Sequence, residues 1–189
     1  KTGVTTLVDS ISNEQYVNQY IFAEKDGVTY STALNLTPVV HTSEGIVYAD
    51  HSNDTLYRMT DEMTPSAFIV RTPRVKETKP NKILRFDNET EDWMFLSGIE
   101  MAYDFSKNEG LHQTNYAVEK ASGGIYELKF IHPDYEGKEY SPTALNARYY
   151  PADELLTALE KGKLKGKLKE IASTLDEEDN GVVMLLKQK

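Results

Sequence analysis

The sequence contains no cysteine among its 189 residues. That removes disulfides, thiolate nucleophiles and thiolate metal ligands as sources of stability or chemistry. No apolar run approaches the roughly 18 residues that a membrane-crossing helix needs, so no helical span is expected. Basic residues are in deficit. Lys and Arg number 21 against 30 Asp and Glu, a formal charge of -9, and such a field repels phosphate backbones and anionic lipid. Nucleic acid is not an expected partner. The local motifs of common chemistries are missing too: there is no G-x-S-x-G elbow, no G-x-x-x-x-G-K-[ST] loop and no G-x-G-x-x-G turn. The four histidines (His41, His51, His112, His132) never fall at a spacing that would bring two imidazoles to one metal from a single element. No cofactor is expected.

What is present is mostly β grammar. Up to about Tyr149, short runs rich in Val, Ile, Thr, Tyr and Phe alternate with Gly, Asn, Asp and Pro, which predicts an all-β region of antiparallel hairpins. Strands are expected at 4–11, 15–23, 28–36, 39–42, 45–49, 55–59, 66–71, 82–86, 92–97, 100–104, 112–118, 125–131 and 144–149. Four of them, "VVHT", "GIVYA", "TLYRM" and "SAFIVR", form one meander. A second group, "KILRF", "DWMFLS", "EMAYD" and "HQTNYAV", starts 43 residues later, from Val39 to Lys82. Four strands per unit at such a spacing is the pattern of β-propeller blades, each unable to bury both faces alone. A β-sandwich repeats its strands as often and is the alternative.

After Tyr150 the pattern turns helical. "PADELLTALEKG" places Asp153 and Glu154 in a first turn, where they favour the helix dipole, and ends at Gly162. In "KLKGKLKEIASTL", Leu164, Leu168, Ile171, Ala172 and Leu175 fall on one amphipathic stripe. The flanking lysines read as a solvated face, and "GVVMLLKQK" reads as a closing strand approached through an acidic turn at 176–180.

Two stretches carry a resemblance: "NDTLYRM" in the first meander and the C-terminal "LKEIASTLDEEDNGVVMLLKQK". Together they resemble a six-bladed β-propeller family of secreted lipoproteins in Bacteroidetes, whose members end in a short helix, an acidic turn and an apolar strand. Members tend to carry Pro where Gly181 stands here. The resemblance implies a propeller in the cell envelope, secreted or lipid-anchored. Because such proteins are longer, it further implies that residues 1–150 are the last three to four of six blades, with 151–189 closing the same domain. Lys1 in place of Met fits the expectation of a fragment or processed product. Open blade faces would then call for self-association or for the missing blades. The activity of the family is unassigned, so no catalytic residues carry over.

The site candidates are few. "ADHSND" gathers His51, Asn53 and Asp54 at one hairpin tip, where turn chemistry accounts for the oxygen-rich composition better than Ca²⁺ binding does. "DEEDNG" at 176–181 lacks the alternating ligands of a calcium loop. Asn35, Asn53 and Asn88 head N-x-[ST] triplets without consequence for function. Arg71 and Arg74 sit in a connector between the two meanders. Among 12 Tyr and a single Trp, most rings belong to packing, with Trp93 the aromatic candidate for ligand contact. These six residues point to a non-enzymatic binding module for a peptide, protein or glycan. A propeller hydrolase or lyase with a polar central channel is the alternative.

Overall fold

A computed structural model describes residues 10–11, 17–34, 36–60, 64–105, 111–140 and 147–185. The strand expected at 4–11 lies outside them, except for Ser10 and Ile11, which are not in a strand. The chain divides into two compact units, Lys1–Glu127 and Leu128–Lys189.

Among the described residues of the first unit, every paired strand is antiparallel. β1 (Tyr20–Lys25) and β2 (Val28–Ala33) form a hairpin through the two-residue turn Asp26–Gly27. β3 (Val39–Thr42), β4 (Gly45–Tyr48), β5 (Thr55–Met59) and β6 (Pro65–Val70) follow as a four-stranded meander in sequence order. A second meander is built from β7 (Lys82–Glu89), β8 (Trp93–Glu100), β9 (Gln113–Glu119) and β10 (Ile125–Leu128). The period-2 alternation of apolar residues decides which faces meet. Val40, Val47 and Leu56 of the first sheet pack with Phe86 and Leu96 of the second, and Phe68, Leu84, Met94 and Tyr116 close around them. A smaller cluster of Val17, Val75, Ile83 and Ile99 forms beside the start of β7.

Ion pairs tie one margin of this interface. Glu89, whose side chain is fully buried, meets Arg58 Nη2 at 2.6 Å and Lys120 Nζ at 3.0 Å. Glu44 binds the same two cations, with Lys120 at 2.6 Å. The Arg58 guanidinium also stacks 3.7 Å over the Phe68 ring. Charge-assisted contacts and ring packing thus offset the desolvation of Glu89.

The separate strand expected at 100–104 is not there. β8 runs unbroken to Glu100, pairing Lys82 with Glu100 at one end and Glu89 with Met94 at the other, and the fourth strand is β10. The gap expected at 98–99 is therefore continuous strand. Gly98 stands in mid-strand because a neighbouring ring needs the room: a Cβ there would lie 3.2 Å from Tyr116.

In the second unit, β11 (Phe130–Ile131) pairs with β12 (Glu139–Tyr140), and β13 (Ala147–Tyr150) pairs with β14 (Val182–Leu185). Between β13 and β14 run α1 (Ala152–Glu160) and α2 (Gly166–Ala172). Tyr150, Leu155, Ala158, Leu164, Leu168 and Ala172 form its core. Of the expected stripe, Leu164, Leu168 and Ala172 are buried, Leu175 packs half-buried against them and Ile171 is half-buried; Leu164 precedes the helix, held in an isolated bridge to Tyr135. Gly181 is required where the chain enters β14, since a Cβ would collide with the Tyr150 carbonyl oxygen. His132 is buried beside Tyr135 and Tyr150, accepts the Asp134 N–H at Nδ1 (2.9 Å), and has its pKa lowered chiefly by burial. Among the described residues no helix is long and apolar enough to cross a membrane.

Candidate functional site

The loop from β4 to β5 is wound by its own side chains. Asp50 Oδ1 accepts the Ser52 N–H at 2.7 Å, and the Asp50 carbonyl accepts the Asn53 N–H at 3.0 Å. This is an Asx turn, which is what the Asp/Asn-rich composition favours. Ser52 Oγ accepts the Val17 N–H at 3.0 Å while His51 Nε2 lies 2.9 Å from the Val17 carbonyl oxygen. The His51 ring is therefore engaged by the main chain of the segment before β1.

Asp54, at the end of this loop, reaches the connector between the meanders. Its Oδ1 accepts the Val75 N–H at 2.7 Å, and its carbonyl accepts the Arg71 N–H at 2.9 Å. Arg71 is fixed in turn by donating Nε to the Pro73 carbonyl (3.0 Å) and Nη1 to the Lys82 carbonyl. Burial lowers the Arg71 pKa while the Asp54 charge opposes that; a guanidinium starts so high that it stays charged. Glu77 Oε2 accepts the Arg74 N–H at 3.0 Å and braces the single 3₁₀ turn Val75–Glu77.

These contacts border an open cavity of about 710 Å³ against the β5 and β6 ends, lined mainly by polar groups. Asn53, Asp54, Arg71 and Arg74 all line it. Both carboxylates in its wall, Asp54 and Glu77, already hold main-chain N–H groups, whereas the Arg74 guanidinium and the Lys76 ammonium have no partner among the described residues. Asn53 Nδ2 is a buried donor without a hydrogen bond. The cavity thus presents unpaired positive charge in a protein that is acidic as a whole.

His51 and Trp93 do not join it. Trp93 starts β8 at the hairpin end, about 20 Å of strand away from the Lys82–Glu100 end that borders Arg71. It packs edge-on against Tyr126 at 5.9 Å. Tyr57, Thr72, Lys76 and Glu77 line the cavity without having stood out in the sequence; the dense charge of "RTPRVKET" was the one signal available.

A second polar cluster lies on the other face of β7–β9. Arg85 Nε binds Asp87 Oδ1 at 2.6 Å, and the Ser97 hydroxyl donates to Asp87. Ser97 also accepts from Gln113 Nε2 at 3.2 Å and Arg85 Nη2 at 3.3 Å. Burial raises the Asp87 pKa, with Arg85 and Ser97 opposing. Ser97 is wholly buried. Among the described residues no group of three or more His, Asp or Glu is placed to hold a metal ion.

No family model, curated protein or solved structure matches this chain.

Proposed function

We propose that the chain is a non-enzymatic binding module made of β-propeller blades from a bacterial envelope protein, and that it holds its ligand in the cavity between the β4–β5 loop and the 71–77 connector. The observation that carries the binding role is the convergence of Asn53, Asp54, Arg71 and Arg74 on one concave polar site with cations left unpaired. Sites of several hundred Å³ with a few convergent polar groups are where small ligands bind. Support for blades comes from two successive four-stranded meanders packed face to face, with their first strands β3 and β7 side by side. The family and the envelope location rest on the sequence resemblance.

NMR titration with a panel of peptides, oligosaccharides and small organic acids tests the binding role. The expected result is a localised shift at the Asn53, Thr72 and Val75 amides without turnover of any compound. No shift there from any panel member would sink the proposal. A hydrolase or lyase reading has one observation in its favour, the mutually bonded Arg85, Asp87 and Ser97; turnover abolished by Asp87→Asn would establish it in place of the first.

A further inference from the structure

A groove of about 430 Å³ adjoins the polar cavity and shares Val70, Arg71 and Thr72 with it. Its lining changes character at that seam. Beyond Arg71, Thr72 and Lys82 it is formed by Ile69, Leu84, Met94, Leu96, Tyr116 and Val118, at the margin where β6 meets the apolar face of the second meander. The cationic, hydrogen-bonding chamber and the apolar slot therefore meet around the β6 edge, along Val70, Arg71 and Thr72.

We infer that the site takes an amphiphilic monocarboxylate, its carboxylate between Arg71 and Arg74 and its acyl chain laid along the slot from Val70 to Tyr116. This rests on the binding-module proposal and names the chemical class of the ligand. Three observations select that class. The chamber walls carry three cations, Arg71, Arg74 and Lys76, against two carboxylates, Asp54 and Glu77, so the net charge of the lining is positive. A guanidinium fork with its plane fixed by two main-chain carbonyls, as in Arg71, suits an oxyanion. Apart from the Tyr116 hydroxyl, the slot's side chains are polar only at its Arg71 end, so it leaves most sugar hydroxyls and peptide amides unpaired, whereas an acyl chain has none to satisfy. Met94 in its wall is unbranched and adapts to chain shape.

Decanoate, kept below its micelle concentration, is the probe, with decanol, octanoate, a hexaglutamate peptide and a neutral trisaccharide alongside. Calorimetry on the full chain reads affinity and amide shifts read position. Decanoate is expected to move the Thr72, Val75 and Gly98 amides and to bind at least about tenfold tighter than decanol, in keeping with a charge-assisted contact. Octanoate is expected to be weaker by about fourfold for each methylene removed from the slot. Arg74 and Val70 are exposed, so their variants keep the fold, which unchanged thermal melts verify. Arg74→Gln is expected to cost about tenfold, and Val70→Asp, which sets a carboxylate at the seam, to abolish binding. Equal binding of decanol and decanoate, or indifference to Arg74→Gln, overturns the inference and leaves the binding module standing. So does a shift of the same amides by the peptide or the sugar but not by decanoate. Silence from every probe overturns both.

Discussion

Leu84, Phe86 and Leu96 point to one face of the second meander, and Arg85, Asp87 and Ser97, each a single residue away along the strand, point to the other. The first face is held against its neighbouring sheet by close-packed side chains and finished at one margin by ion pairs. The second holds its polar groups through a chain of mutual hydrogen bonds. Both are buried, yet they differ in what they contribute. Apolar burial supplies stability roughly in proportion to area, whereas a satisfied polar network contributes little net free energy but strongly penalises any arrangement that breaks it.

The largest effect is expected from Phe86→Ala. Phe86 is 1% exposed at the centre of the packed face, and its loss should cost about 3–5 kcal/mol, read as a drop in the urea midpoint. A loss below about 1 kcal/mol would show that the two sheets are not packed as described. Arg58→Ala comes next, at about 2–4 kcal/mol, since it leaves the buried Glu89 carboxylate with Lys120 alone. Replacing both partners, with Arg58→Met and Glu89→Met together, should cost clearly less than the single change; a double mutant worse than either single would refute that account of the margin.

Asp87→Asn is expected to have the smallest effect at pH 7, within about 1 kcal/mol, because the raised pKa means that the ionised form is held against its preference. Its signature is pH dependence. Between the unfolded carboxyl value, about 3.9, and the higher native one, the native state keeps a proton that the unfolded chain has released. Stability contributed by this group therefore falls as pH rises through that window. The difference between parent and Asp87→Asn in urea melts from about pH 3 to 7 should trace that fall. A constant difference would mean that Asp87 does not titrate there.

How far the sequence disclosed this arrangement depended on range. β3 and β5 begin and end where the alternation of "VVHT" and "TLYRM" places them, since local pattern and turn residues set short hairpin strands. The break expected between Ser97 and Glu100 is absent because Gly98 there leaves room for a ring on the next strand, which local pattern does not reveal. The site divides in the same way. Asn53, Asp54, Arg71 and Arg74 were visible as turn and connector residues, and the fold brings them to one cavity. His51 is diverted by the Val17 carbonyl, a partner 34 positions away. The Asp87 cluster was invisible because it exists only through register: Arg85 opposite Ser97, and Ser97 opposite Asn115.

The bond from the Val75 N–H to Asp54 has a kinetic consequence. Val75 is fully excluded from solvent, and its amide is pinned at 2.7 Å by a carboxylate from a different strand connection. That single proton can be replaced by deuterium only when the connector lifts away from the β5 end. Its exchange rate is thus a clock for the opening of the cavity wall. Because the neighbouring residues Arg74 and Lys76 belong to the same wall, anything bridging them to Arg71 must slow that clock, while amides in the centre of β8 keep their own time.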